Sequence, residues 1–207
     1  MKSIYNLKIV LVILVIFASC SKSIDVLKPD LIPPSDVTPV LPSSSSFTNY
    51  TLKKGAHFAD FNSYQTVNYA EQTFIVVFDS SAIYKTIDPA NQDDINKLYG
   101  FADNDTTHHS FSARFGWNWL NNALRLYAYV YNDGVLQPLE LSTIPLNHEV
   151  KCSIKVNASN YVFTVNGNSV ALLRTSKTPT GKGYRLYPYF GGDETAPHDI
   201  KIKILEL

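Results

Sequence analysis

Residues 114–131 read RFGWNWLNNALRLYAYVY. In an extended chain successive side chains point to opposite faces, so the second half of this stretch sorts into two sets. Leu124, Leu126, Ala128 and Val130 fall on one side; Arg125, Tyr127, Tyr129 and Tyr131 fall on the other. The period is two rather than 3.6, which predicts a strand. The leucine side belongs to a core. The arginine and tyrosine side is no ordinary solvent face, and function turns on what it meets: an opposing sheet, a protein partner, or a ligand that favours flat aromatic rings.

The same period runs outward from this stretch in both directions. Residues 73–79 (TFIVVFD) are dense in β-branched and aromatic side chains and predict a buried central strand. Residues 110–117 predict another. Asp133-Gly134 and Asn166-Gly167 are dipeptides that tolerate positive φ, so they predict hairpins into residues 135–141 and 169–173. Residues 151–156 and 161–165 flank a polar turn, and residues 184–190 and 199–207 complete the series. The last places Ile200, Ile202 and Ile204 on one face against Lys201 and Lys203. The best helical signal is residues 89–98 (PANQDDINKL), where Pro89 and the early acidic residues suit a first helical turn and predict one short helix on a long loop. About nine to thirteen short strands, at most one or two short helices and no fixed repeat predict an all-β, two-sheet antiparallel sandwich.

The N-terminus is a different material. Lys2 and Lys8 precede an apolar run over residues 9–17, followed by Ala18, Ser19 and Cys20. That is the layout of a secretory signal, and the run is too short for a permanent span. The ending FASC resembles the lipobox of bacterial lipoproteins, with Phe17 where most carry Leu. The resemblance implies that residues 1–19 are removed, that Cys20 becomes a lipidated first residue, and that the protein is anchored to the bacterial envelope, with the outer membrane as the expected address. A plain signal peptide or a retained anchor would equally take the chain out of the cytoplasm. Residues 20–46 carry Pro29, Pro33, Pro34, Pro39 and Pro42 and close on four serines, a composition for a partly extended tether and not for a core. Residues 47–207 are then one domain of ample size for a single core. With Cys20 lipidated, Cys152 has no partner, so no disulfide framework is expected, and its place in the run KCSIKV suits a small buried apolar side chain. Basic and acidic residues balance at 18 each, which supplies no field for nucleic acid.

A resemblance narrows the sandwich. The order of long strands, the Asn-Gly hairpin in YVFTVNGNSVAL and the terminal amphipathic strand look like the concanavalin-A-like jelly roll of lectins, glucanases and alginate-type lyases. The segments SARFGWNW and LYPYFGGDETAPHDI also resemble recurring pieces of secreted lipoproteins of the Bacteroidetes type. The jelly-roll resemblance implies ligands lying across one concave sheet, whose strands would need polar and aromatic side chains on their outer face.

Three strands offer such faces. Arg125, Tyr127, Tyr129 and Tyr131 oppose the leucines; Arg114 opposes Ala113, Phe115 and Trp117; Arg185, Tyr187 and Tyr189 oppose Leu186 and Phe190, with Pro188 marking an edge or bulge. A pyranose presents apolar C–H faces to aromatic rings, and arginine offers a bidentate donor to a uronate carboxylate or a sulfate. The expected partner is therefore a polysaccharide or oligosaccharide, unless these tyrosines only fill the space between the sheets. Retaining hydrolysis needs two paired carboxylates, and the glucanase pattern E-x-D-x-x-E is absent. β-Elimination from a uronate needs its carboxylate neutralised and a Tyr or His to move the proton; Arg114, Tyr127, Tyr129 and His108 supply those types, although the Q-I-H and Y-F-K-x-G-x-Y strands of alginate lyases are absent. His108 and His109 are adjacent and would point apart on a strand, so no metal site is expected from them. Asp193, Glu194, Asp199 and residues 103–105 allow structural calcium, though turn and capping roles suit them better. The expected function is an envelope-anchored, noncatalytic glycan-binding sandwich, with a uronate lyase and a structural or adhesive envelope subunit as the alternatives.

Overall fold

The computed structural model describes residues 46–207. The expected signal segment, the lipidation site Cys20 and the tether up to residue 45 lie outside the described residues. Within them the chain forms strands β1 (Thr48–Leu52), β2 (Thr66–Tyr69), β3 (Glu71–Phe78), β4 (Asn96–Ala102), β5 (Phe111–Leu120) and β6 (Ala123–Asn132). Then follow β7 (Val135–Ile144), β8 (Val150–Val156), β9 (Asn160–Val165), β10 (Asn168–Leu173), β11 (Gly181–Leu186) and β12 (Ile200–Glu206). They make two antiparallel six-stranded sheets, ordered β1-β12-β3-β8-β9-β10 and β2-β11-β4-β5-β6-β7. This is the all-β two-sheet sandwich expected from the period, and the jelly roll that the resemblance implied.

Tight turns follow from residues able to hold positive φ. Asp133-Gly134 (φ 50° and 78°) joins β6 to β7, and Asn166-Gly167 (47° and 91°) joins β9 to β10. A third turn of the same kind, Asn121-Asn122 (53° and 58°), joins β5 to β6 without any glycine. The core is built where aromatic rings of the two sheets interlock: Phe78 against Trp117 at 5.1 Å, Phe74 against Phe115 at 5.6 Å, and Phe115 against Phe163 at 5.1 Å. Burying such a side chain is worth roughly 1.5–3 kcal/mol, and each well-angled ring pair adds about 0.5–1.5 kcal/mol. Cys152 lies fully inside this core on β8, and burial pushes its thiol pKa well up, which leaves it an inert apolar filler.

Two expected elements differ. The helix over residues 89–98 is only a three-residue 3-10 turn, Pro89–Asn91, capped by the Asp88 side chain, and its C-terminal part belongs to β4. The alternation of β4 was hidden by a bulge between Lys97 and Gly100, which turns both Leu98 and Tyr99 into the core. The strand over residues 184–190 stops at Leu186. Pro188 interrupts it, and pairing resumes one residue on, where Tyr189 and Lys97 exchange backbone hydrogen bonds of 3.0 and 2.8 Å.

Candidate functional site

The β5–β6 hairpin carries the opening stretch, and its register fixes both faces. Ala113, Phe115 and Trp117 join Leu124, Leu126, Ala128 and Val130 in the core. On the outer face Arg114 pairs with Tyr129, Ser112 with Tyr131, Gly116 with Tyr127 and Asn118 with Arg125. That face is itself largely buried, because loops fold over it. The β1–β2 loop brings Phe58, Asn62 and Tyr64, the β4–β5 loop brings His108 and His109, and the segment after β11 brings Tyr189 and Gly192. They enclose a groove of about 660 Å³ with Lys97, Arg114, Tyr129, Tyr131 and Tyr184 also along it.

Arg114 sits at its floor, only 7 % exposed. Its guanidinium lies 5.2 Å from the Tyr129 ring centre, and the Lys97 ammonium lies 4.8 Å from the same ring. Among the described residues neither cation has a carboxylate within ion-pair distance, and Arg114 Nε has no hydrogen-bond acceptor. Burial pulls the Arg114 pKa down to about 10. Burial first, and then the neighbouring Arg114 charge, pull Lys97 down to about 8. Gly100 makes this close packing possible, since a Cβ there would stand 2.3 Å from Arg114 Cβ and from the Ala113 carbonyl oxygen.

A second constellation stands beside the cations. His108 Nδ1 lies 2.8 Å from Tyr184 Oη, which also accepts the His108 backbone N–H at 3.1 Å. Burial, and then the charges of Arg114 and His109, pull the His108 pKa down to about 4, so the imidazole is neutral at physiological pH. Around the rim, Tyr189 stacks on His57 at 5.2 Å, and Tyr64 lies 5.4 Å from Tyr184. Burial, followed by the adjacent Tyr131, pushes Tyr129 up to about 12, so its phenol keeps its proton.

The structure thus brings together Arg114, Tyr129, Tyr131, Tyr189 and His108 from the residues expected by sequence. It places two others outside the groove. Tyr127 is buried and donates to Asn118 Oδ1 at 3.1 Å, while Arg125 forms a 2.7 Å ion pair with Glu140. Arg185 and Tyr187 also line the groove, but their polar ends lead away from it, because the parity of β11 is the reverse of the expected one. Arg185 is in register with the core residue Phe101, whereas Leu186 is in register with Gly100 and through it with Arg114. Arg185 accordingly reaches between the sheets, to Glu206 of β12 at 2.6 Å and Tyr69 Oη at 2.7 Å, and Tyr187 packs toward Tyr50 and Tyr99. Sequence reasoning missed Lys97, Tyr184, Phe58 and Tyr64. Reading β4 as a strand would have set Lys97 outward, and the correct parity of β11 would have done so for Tyr184; the aromatic loop carried no periodic signal.

Three of the acids considered for calcium are engaged in other contacts. Glu194 accepts the backbone N–H groups of Ile87 and Asp88, Asp199 accepts that of Lys54, and Asp103 is buried against Arg174 and Tyr161. Among the described residues no cluster of three or more His, Cys, Asp or Glu gathers as a metal site.

No family model matches the sequence, and no curated protein matches it. Solved structures do match in fold. The alginate lyase AlyC3 aligns with a TM-score of 0.52 at 11 % identity, over 78 % of this chain and 74 % of that one. The catalytic domain of an endo-1,3-beta-glucanase (laminarinase) from Thermotoga petrophila aligns with a TM-score of 0.51 at 9 % identity, over 80 % of this chain and 79 % of that one. These likenesses show the fold alone, an all-β jelly-roll sandwich; the aromatic, cation-floored groove on the outer face of the second sheet is a feature of this structure.

Proposed function

We propose that the protein binds acidic glycans in this groove, held at the bacterial envelope by lipid on Cys20 and spaced from it by the tether that ends near residue 46. One observation carries the reading. The sequence has four arginines, and Arg125, Arg174 and Arg185 each have a carboxylate partner, whereas Arg114, buried and facing the groove, has none among the described residues. A buried guanidinium without a partner is costly, and a carboxylate or sulfate brought by the ligand would complete it with a charge-assisted pair. Lys97 doubles the positive charge, and the tyrosines offer faces for sugar rings. That the same fold carries an alginate lyase and a laminarinase supports a glycan partner. Among the described residues no Asp or Glu lines the groove, which favours binding over two-carboxylate hydrolysis. Affinity electrophoresis through alginate, polygalacturonate and neutral laminarin tests it: retardation by the acidic polymers alone is expected, and free migration in all three would sink the proposal.

A second reading has its own observation. The neutral His108, hydrogen-bonded to Tyr184 beside Arg114, provides a proton-moving pair next to a carboxylate-neutralising charge, as β-elimination requires. A lyase would generate an ultraviolet-absorbing unsaturated uronate from one of those acidic polymers. Binding without that absorbance selects the first reading.

A further inference from the structure

We propose that a second saccharide site, independent of the groove, lies at the β5–β6 turn, where Trp119 backs a cleft that takes one neutral pyranose ring. The cleft measures about 240 Å³ and shares no lining residue with the larger groove. That volume lies below the roughly 300 Å³ at which drug-sized ligands begin, so it suits a single ring.

Its chemistry points to sugar. Trp119 is only partly buried, while Trp117 two residues earlier is completely enclosed. Trp119 packs against the core on one side, and the part of its indole left at the cleft offers apolar surface to the C–H groups of a pyranose. Asn121 and Asn122 stand beside it, both exposed. Their left-handed backbone, φ 53° and 58°, is what a two-residue hairpin turn demands, but their amides are free to offer donors and acceptors to ring hydroxyls. Among the described residues no carboxylate lines the cleft and Lys85 is its one charged side chain, which favours a neutral ligand over the anionic one of the groove.

The cleft is also preorganised. The Gln92 side chain ties its two walls together, donating to the carbonyls of Trp119 at 2.7 Å and Tyr84 at 3.3 Å and accepting from the Thr86 N–H at 3.0 Å. A fixed cleft binds a ligand without first ordering its own loops. A single ring held by one indole and two amides is expected to bind in the millimolar range, about −4 kcal/mol.

Tryptophan fluorescence gives a direct readout, because the chain has two tryptophans and Trp117 is sealed in the core. D-glucose, D-galactose, D-mannose and N-acetyl-D-glucosamine are each titrated to about 100 mM, which is well above a millimolar Kd. At least one is expected to give a saturable emission change, retained in Arg114→Met and weakened about tenfold or more in Asn121→Gly/Asn122→Gly. Glycine keeps the positive-φ turn while removing both amides, so folding is spared. No saturable change with any of the four sugars, or an undiminished response in the glycine variant, overturns the site. Because Arg114→Met removes the groove's anion seat, failure of the acidic-glycan reading would leave this result untouched.

Discussion

Replacing Arg114 by Met should stabilise the protein while removing its affinity for acidic glycans. Burial lowers the guanidinium pKa from 12.5 to about 10, so the folded state holds the charge at a disadvantage of about 3 kcal/mol. The sign follows from linkage. A cation whose folded pKa is depressed destabilises the fold wherever it is charged in both states, hence fully at neutral pH, and the penalty fades as pH rises through about 10. Methionine keeps an unbranched stem over Gly100 and beside Tyr129 and leaves no unpaired donor. The net gain should be about 1–3 kcal/mol, since the cation–π contact with Tyr129 is also lost. For a domain of this size that is a rise in Tm of roughly 2–10 °C by calorimetry near neutral pH. Loss of a charged hydrogen bond to the ligand, about 1.5–3 kcal/mol, should weaken polyuronate binding roughly 10- to 100-fold by isothermal titration. A lower Tm with unchanged binding would show that Arg114 is a structural residue and refute the reasoning.

Lys97 should give the binding a pH dependence: with its pKa near 8, affinity for polyuronate should hold at pH 6–7 and decline toward pH 9, and a Lys97→Met variant should bind weakly with a flat profile across that range. Arg185→Met should destabilise the fold by about 1–3 kcal/mol in chemical denaturation, because it removes the cation from Glu206, which keeps only the Tyr69 and Tyr99 hydroxyls as partners. Gly100→Ala should be severe, at least about 3 kcal/mol, because the added Cβ collides with backbone across the β4–β5 ladder; a near-wild-type melting curve would contradict the packing beneath Arg114.

The sandwich was legible because burial on one face imposes a period of two, and because Asp133-Gly134 and Asn166-Gly167 name their own turns. The groove was legible only where strands stayed regular. Arg114, Tyr129 and Tyr131 could be assigned to one surface since β5 and β6 run without a bulge between residues 111–120 and 123–132. The same alternation grouped Arg125 and Tyr127 with them, for parity gives the face of a strand and not how far along it the loops reach. β4 escaped notice because Leu98 and Tyr99 share one face, and β11 was read with the wrong parity because Pro188 lets the chain resume pairing out of step. The aromatic loop with Phe58 and Tyr64 meets Tyr189 and Tyr184 through contacts that connect residues more than a hundred apart, which no local pattern encodes.

The fold elsewhere shows that it can satisfy a buried arginine. Arg174, 3 % exposed, has Asp103 at 2.8 Å and further acceptors in Ser176 and Thr178, and Asp103 in turn takes Tyr161 Oη at 2.6 Å. Arg114 is comparably buried and, among the described residues, has no carboxylate partner, only the Tyr129 ring and the neighbouring cation Lys97. The difference gathers the groove's attraction for anions at Arg114 and the neighbouring Lys97, since 18 basic and 18 acidic residues leave no net charge to steer a ligand from a distance. Local contact in a low-dielectric site is screened far less by salt than long-range steering is. Association of a uronate oligosaccharide should therefore be slow to respond to ionic strength: raising salt from about 0.05 to 0.5 M should change the on-rate less than about threefold, with the larger effect of Arg114→Met falling on the off-rate. A steep salt dependence of the on-rate in stopped-flow measurements would mean that surface charges gather the ligand, and Arg114 would lose its place as the seat of recognition.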